Sequence, residues 1–248
     1  MLPFKPAPET LVATRTALHR LAAYVIAPVR YNAVERFGLH ATPGGFGTPR
    51  FEDREIRVEG TELIDEQGGD VRRAPITSLA AAAEFLGSVA DSESAAAEHD
   101  TPSIGDVDAD LGIDQAASEW LGHWYGVTFA ALEVLRTDDE AVDPSEIFLW
   151  PGHFDPGMET GDEDHRASYG ASPGDAAIPE PYLYLSVWWP DKFVIDENDP
   201  MWNASGFTGA ILKASDFDAD VDPMEVAVGF WRAARTALNS LERREGQS

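Results

Sequence analysis

The residues best suited to chemistry lie at 150–155, Trp-Pro-Gly-His-Phe-Asp, where His153 precedes Asp155 by two positions. In an extended segment this spacing places both side chains on one side of the backbone. A carboxylate can orient an imidazole as a general base, and both groups can bind a divalent metal. His165 would complete a metal site of two histidines and one carboxylate. These residues predict acid–base or metal-assisted hydrolysis, and the alternative is a structural hydrogen bond between His153 and a turn.

A second candidate is the predicted strand at 181–189, because its side chains alternate between two chemistries. Leu183 and Leu185 would face one side of the strand. Tyr182, Tyr184 and Trp188 would face the other side. The aliphatic face is suited to a hydrophobic core. The aromatic face is suited either to the floor of a ligand cleft or to a second core covered by helices.

Two acidic residues near this strand, Asp175 and Glu180, would give such a cleft polar edges. Aromatic faces surrounded by carboxylates favour a carbohydrate or another small polar organic molecule as ligand. Three functions therefore stay open. The first is a small-molecule-binding protein, the second is the hydrolase described above, and the third is a non-enzymatic protein whose aromatic strand pairs with a partner.

Other glycine and aspartate patterns do not predict a site. The glycines at 44–47 lack the Lys-Ser/Thr of a phosphate-binding loop, so a tight turn is the better interpretation. Aspartates alternate at 106–110 and 216–220, as they do in calcium loops. Those loops need glycine at the sixth position and glutamate at the twelfth. The first ladder has Leu111 and Ala117 there, and the second fails in the same way, so both are interpreted as solvated acidic segments.

Composition and charge exclude several classes of function. The 248 residues include 44 Asp plus Glu and 18 Lys plus Arg, for a formal net charge of −26. This charge repels phosphates and anionic lipids, so neither nucleic acid nor a membrane is an expected partner. Cysteine is absent, which removes disulfides and thiol chemistry. The chain shows no secretory leader and no apolar run long enough to span a membrane, which predicts a cytoplasmic protein.

The acidity also predicts adaptation to concentrated salt. Only three lysines accompany the acidic excess, and salt screens the self-repulsion that such a charge produces. A GC-rich genome, which favours arginine over lysine, is the alternative explanation.

Hydrophobic periodicity predicts an α+β protein with a mostly antiparallel sheet, because strands occur in runs rather than alternating with helices. N-terminal, central and C-terminal helices would pack on it. The predicted helices are 8–29, ended or kinked at Pro28, then 78–87, one beginning at Asp114, and one capped by Asp222. The predicted strands are 55–59, 62–66, 71–76, 147–154, 181–189 and 207–213, and 42–49 is predicted to be a loop.

The chain is expected to form one domain over residues 1–248. Residues 91–113 combine Ser, Asp, Glu, Ala and Gly with few large apolar side chains, which predicts a mobile acidic linker. The linker would separate two subdomain-like halves that each contain a helix, strands and a helix.

Four segments carry a resemblance to a known family. They are ATPGGFGTP at 41–49, WPGHFD at 150–155, YGASPGD at 169–175 and PEPYLY at 179–184. These segments resemble those of uncharacterised bacterial proteins grouped as a domain of unknown function, and the resemblance covers nearly the whole chain. It implies no activity, cofactor or catalytic residue, but it adds interest to the acidic and histidine positions within those segments.

Overall fold

The computed structural model describes residues 6–196 and 198–244. Within them, ten strands form two antiparallel sheets of five strands each, accompanied by five α-helices. In both sheets each strand pairs with the next one along the chain, because short connections favour antiparallel neighbours. The predicted α+β class is confirmed.

The chain begins with one long helical run. It comprises α1 (Leu11–Leu21), a π-helical turn (Ala22–Ile26) and α2 (Ala27–Val34). Of the two predicted effects of Pro28, ending the helix is wrong, because this proline lies in the first turn of α2, and kinking the helix stays a prediction. The π-helical turn before it changes the register of the backbone hydrogen bonds, which accommodates a residue without an N–H.

The first sheet contains β1 (His40–Thr42), β2 (Gly45–Gly47), β3 (Arg54–Glu59), β4 (Glu62–Gln67) and β5 (Asp70–Pro75). The hairpin predicted between the last two strands is confirmed by the pairing of Gln67 with Asp70. The loop predicted at 42–49 is partly wrong, because β1 and β2 form a hairpin there. Strands of only three residues, His-Ala-Thr and Gly-Phe-Gly, are too short to show an alternating hydrophobic pattern.

The second sheet contains β6 (Phe148–Trp150), β7 (Asp155–Thr160), β8 (Ala167–Ser172), β9 (Tyr182–Val187) and β10 (Gly209–Lys213). The strand predicted at 147–154 ends at Trp150 and is followed by a turn at 151–154. Two strands, β7 and β8, were not expected from the sequence. They are rich in Gly, Ser and Thr, which carry little hydrophobic signal.

The remaining helices are α3 (Leu79–Phe85), α4 (Gln115–Arg136) and α5 (Pro223–Asn239). The predicted caps are confirmed: Asp114 accepts a hydrogen bond from the N–H of Ala117, and Asp222 accepts one from that of Met224. The central helix α4 contacts strands of both sheets as well as α1 and α5. One continuous hydrophobic core consequently contains residues of both sheets and of all five helices.

Helix α4 approaches the first sheet closely at Gly122. A Cβ atom there would lie 2.6 Å from the carbonyl carbon of Gly44, so only glycine allows this contact. Trp124 and Tyr125, on the following positions of α4, are fully buried in the core. Among the described helices, none has the length and apolarity that crossing a membrane requires.

Residues 91–113 contain neither helix nor strand, and they lie against the first helical run. The Ser94 hydroxyl donates to the Ala23 carbonyl at 2.7 Å, and the Tyr24 hydroxyl donates to the Pro102 carbonyl at 2.9 Å. Further along, Arg20 donates to the Ile104 carbonyl. These contacts hold the segment against the first helical run, while its mobility stays a prediction.

Candidate functional site

A cavity of about 360 Å³ lies between the second sheet and residues 95–99. The sheet is two-faced, as the alternation in β9 predicts. Leu183 and Leu185 are fully buried in the core, whereas Tyr184 points from the opposite face into the cavity lining. In the same face, Asp155 and Glu159 of β7 also line the cavity. The aromatic face of this sheet therefore borders a cavity, and none of the lining residues belongs to a described helix.

The turn at 151–154 sets the directions of the two residues that the sequence singles out. Phe154 has a φ of 60°, in the left-handed region that is unusual for a bulky residue. Its N–H donates to the carbonyl of Trp150 at 2.7 Å, which closes the turn. The chain is therefore not extended between His153 and Asp155, and the assumption that places their side chains together does not hold.

Core packing stabilises this strained turn. The Phe154 ring is fully buried, stacks on His19 and meets Phe46 and Tyr125 edge to face. The Tyr125 hydroxyl donates to the Phe154 carbonyl at 2.9 Å, and His19 Nε2 lies 2.8 Å from the Pro151 carbonyl. Burial lowers the pKa of His19 to about 4, so this ring is neutral near pH 7 and donates that hydrogen bond. Such packing can hold a backbone conformation that costs about 1–3 kcal/mol.

Asp155 is the most perturbed acidic group of the cavity. Asp155 is the first residue of β7 and is only 4% exposed. Oδ2 accepts a hydrogen bond from the Tyr184 hydroxyl at 2.7 Å, whereas Oδ1 is buried and has no hydrogen-bond partner among the described residues. Burial raises the pKa of Asp155 to about 6, against the opposing effects of nearby His153 and of the Tyr184 hydrogen bond. This carboxyl can therefore exchange a proton near neutral pH.

Two glycines make room for the Tyr184 ring. Gly157 and Gly170 are paired across β7 and β8, and Gly170 is paired with Tyr184 across β8 and β9. A Cβ atom at Gly170 would lie 2.4 Å from ring atoms of Tyr184. The ring therefore lies across a glycine surface, which brings its hydroxyl to Asp155. Burial raises the pKa of Tyr184 well above its usual value, so it remains a hydrogen-bond donor.

His153 lines the cavity but is hydrogen-bonded to a different carboxylate from the one expected. Its Nδ1 lies 2.9 Å from Oδ2 of Asp100, and its ring stacks on His99 with centroids 4.4 Å apart. The predicted pairing of His153 with Asp155 is therefore wrong as a direct hydrogen bond. Asp100 and His153 still form a carboxylate–imidazole pair. Because their hydrogen bond uses Nδ1, the Nε2 atom of His153 takes no part in it.

Tyr182 and Asp175 lie in a separate polar cluster that has a structural role. The Tyr182 hydroxyl donates to Asp175 Oδ2 at 2.5 Å, while Asp175 Oδ1 accepts from the N–H groups of Ala177 and Ile178. Arg15 of α1 reaches the same loop and donates to the Pro179 carbonyl at 2.9 Å. These groups are occupied with one another, and neither Tyr182 nor Asp175 lines the cavity.

The other predicted ligand-binding residues lie further out. Glu180 forms an ion pair with Lys213 at 3.0 Å and does not border the cavity. Trp188 donates its indole N–H to the Ser168 hydroxyl at 2.9 Å, and Arg166 lies over its ring. Because Ser168 is a lining residue, Trp188 contacts the cavity edge indirectly.

The three metal-ligand candidates are not brought together. His165 lies against Phe193 and hydrogen-bonds to Asp162, beside a different cavity of about 270 Å³. His153 and Asp155 line the first cavity without it. Within residues 6–196 and 198–244, no three His, Asp or Glu side chains are grouped as a metal site requires.

Several lining residues were not anticipated from the sequence. Glu98 and His99 belong to the segment interpreted as a linker, and Glu159 belongs to an unexpected strand. The sequence feature that could have pointed to Glu98 and His99 is the triplet Glu-His-Asp at 98–100, which follows an alanine-rich stretch. Trp150 also lines the cavity, packed edge to face against Phe148.

Comparison of the chain with protein-family models, with curated proteins and with solved structures finds no match. The resemblance of the four sequence segments to an uncharacterised family stays a prediction. The function is therefore argued from the cavity alone.

Proposed function

We propose that this protein binds a small polar organic molecule in the cavity beside β7 and β9, with Asp155 as its hydrogen-bonding anchor. The observation that supports the proposal most directly is the buried carboxyl group, whose Oδ1 has no partner among the described residues. An unsatisfied buried polar atom costs about 1–3 kcal/mol, more when it is charged. A ligand that donates a hydrogen bond would remove this cost.

The size and lining of the cavity support the same proposal. A volume of about 360 Å³ lies within the range of small-molecule sites, which combine aromatic walls with a few convergent polar groups. Trp150 and Tyr184 supply the aromatic surface, and Tyr184 is already oriented by its hydrogen bond to Asp155. This surface is part of the folded sheet, so the site is formed before a ligand enters.

Acid–base hydrolysis is the second candidate function, and one observation favours it. The cavity is lined both by His153, whose Nδ1 is hydrogen-bonded to Asp100, and by Asp155, whose pKa is raised to about 6. A base oriented by a carboxylate together with a carboxyl group whose pKa lies close to neutral pH is a combination used in general acid–base catalysis. Under this candidate function, His153→Gln would abolish turnover while leaving ligand binding within about threefold.

The proposal also concerns the protein's environment and partners. The net charge of −26 opposes binding to nucleic acid or to an anionic membrane surface, which supports a small molecule as the partner. We place this activity in the cytoplasm, in keeping with a chain that contains no cysteine and hence no disulfide.

The test is a binding screen of the intact protein against small sugars, alcohols, amides, amines and carboxylic acids. Binding would be followed by tryptophan fluorescence, because Trp150 lines the cavity and is 39% exposed, and by thermal shift. The proposal expects at least one class to bind, with affinity reduced about tenfold or more by Asp155→Asn and by Tyr184→Phe. Glu180→Gln is the matched control, since Glu180 lies outside the cavity.

Two outcomes would overturn the proposal. In one, no class of compound binds at any accessible concentration. In the other, compounds bind with the same affinity to the wild-type protein, to the two cavity variants and to the Glu180→Gln control. Either result would show that the cavity does not select a ligand.

A further inference from the structure

We infer that the ligand of this cavity is an organic cation, with an ammonium or guanidinium group carried on a small apolar body. This inference rests on the proposed function and adds the chemical class of the ligand. It is argued from the charges of the lining, the burial of Asp155 and the aromatic rings that remain free of cations.

The charges that line the cavity have one sign. Three carboxylates, those of Glu98, Asp155 and Glu159, are lining residues, and no lysine or arginine is among the described residues of the lining. Outside the lining, the guanidinium of Arg166 lies 3.6 Å from Glu159. A cavity lined by one sign of charge concentrates ligands of the opposite sign.

The two lining histidines do not reverse this balance. His153 lies 2.9 Å from a carboxylate oxygen of Asp100, and His99 lies 3.9 Å from one of Glu98. Each imidazole therefore has a carboxylate beside it, so a proton on either ring is balanced locally. Among the described side chains, the neutral Tyr184 hydroxyl is the only hydrogen-bond partner of the deeper Asp155 carboxyl.

Asp155 supplies the second, independent observation. Its exposed fraction is 4%, so the residue is 96% buried, and it borders the cavity. Its Oδ1 atom has no hydrogen-bond partner among the described residues. Burial disfavours the charged form of this carboxyl group, and nearby His153 offsets the effect only in part, so Asp155 lacks a full countercharge. A bound cation would provide that countercharge, whereas an anion would add repulsion and a neutral donor would leave the charge unbalanced.

The aromatic rings of the lining are suited to the same class of ligand. Phe37, Trp150 and Tyr184 all line the cavity, and aromatic faces attract ammonium and guanidinium groups through the ring quadrupole. In the described parts of the chain, basic side chains lie over Phe85, Trp188 and Trp189, and over none of the rings of the cavity lining.

The test uses three probes of the same shape and different charge: benzylamine, benzyl alcohol and benzoate. Affinities would be measured by calorimetry on the full chain at pH 7.5. We expect the wild-type protein to bind benzylamine about tenfold more tightly than benzyl alcohol, because only benzylamine forms an ion pair in this partly dehydrated site. Benzoate should not bind measurably.

Two variants and two controls assign the selectivity to this cavity. Asp155→Asn should reduce the preference for benzylamine over benzyl alcohol to about threefold or less, and Glu159→Gln should reduce it partially. Asp139→Asn removes one charge at an exposed position, and Glu180→Gln removes one outside the cavity. Both controls should keep the full preference, which separates a site in the cavity from general attraction to an acidic protein.

The outcomes separate this inference from the proposed function. If benzyl alcohol binds as tightly as benzylamine and Asp155→Asn weakens both equally, the cationic class is wrong and the binding cavity stands. If benzylamine is preferred but all four variants retain the preference, the attraction is non-specific and the inference is overturned. If neither these probes nor any compound of the wider screen binds, the proposed function itself fails.

Discussion

Replacing the buried Asp155 by asparagine should stabilise the protein more at pH 8 than at pH 5. Asparagine has nearly the same shape and can still accept the hydrogen bond from Tyr184, but it carries no charge at any pH. The substitution therefore isolates the energetic effect of burying an ionisable carboxyl group beside the cavity.

The magnitude follows from the pKa. Burial raises the pKa of Asp155 from its ordinary value of 3.8 to about 6, so the folded protein binds more protons than the unfolded chain between these values. Stability from this group is present at low pH and is lost as the pH rises through 6. Between pH 5 and pH 8 the loss is about 1.4 kcal/mol. The wild-type protein undergoes this loss and the Asp155→Asn variant does not.

The assay is urea unfolding of both proteins at pH 5 and pH 8, followed by tryptophan fluorescence and far-ultraviolet circular dichroism. At each pH, the free energy of unfolding of the wild-type protein is subtracted from that of the variant. The result at pH 5 is then subtracted from the result at pH 8. Changes in packing or hydrogen bonding that do not depend on pH cancel in this comparison. His19, whose pKa burial lowers from 6.5 to about 4, adds its own pH dependence to the stability, but it does so equally in both proteins.

Asp139→Asn is the matched control, because it makes the same chemical change at an exposed position. The reasoning would be refuted if the Asp155→Asn difference were the same at both pH values. It would also be refuted if the wild-type protein gained relative stability at pH 8. Either result would mean that Asp155 does not carry the buried, shifted carboxyl group on which the site depends.

Three further predictions concern other parts of the molecule. Gly170→Ala should lower the free energy of unfolding by about 1–3 kcal/mol, because its Cβ would lie 2.4 Å from the Tyr184 ring; Gly229→Ala, on open helix surface, should be neutral or stabilising by up to about 1 kcal/mol in the same urea experiment. The ring of His19 should titrate near pH 4 in an NMR experiment, since burial lowers its pKa to about 4, and a midpoint near 6.5 would contradict its burial. The melting temperature should rise from low to molar KCl, because salt screens the self-repulsion of a net charge of −26, and a melting temperature independent of salt would contradict adaptation to high salt.

Function and stability are in conflict at the cavity. The folded protein is more stable when the buried carboxyl of Asp155 is protonated than when it is charged, yet the proposed cation would bind the charged form. A site that keeps an unsatisfied charge in the absence of ligand stores free energy that binding can release. The stabilising effect expected for Asp155→Asn and its expected loss of cation preference are two consequences of the same arrangement.

The local patterns of the sequence were sufficient to predict the elements whose side chains repeat regularly. The alternation in β9 predicts a core face and an aromatic face, and burial confirms it. The caps Asp114 and Asp222 mark the starts of α4 and α5. These features depend on neighbours a few residues apart, so the sequence contains all the information that defines them.

Prediction from the sequence failed where the local hydrophobic pattern was weak or short, and where the packing of the chain overrode a local signal. The strands β7 and β8 contain Gly, Ser and Thr, and their formation depends on pairing with each other and with their neighbours β6 and β9 rather than on their own hydrophobic pattern. Pro28 did not end the first helical run, because a π-helical turn precedes it.

The sequence by itself determined which residue types could do chemistry, and it drew attention to His153 and Asp155, which both line the cavity. Only the tertiary structure decided their partners. Phe154 takes a left-handed conformation because the core packs around its ring, which separates the two side chains in direction. Asp155 then meets Tyr184 from another strand, and His153 meets Asp100 from a segment without regular structure. Contacts between residues far apart in the chain depend on how the sheets and helices pack, and no local pattern encodes them.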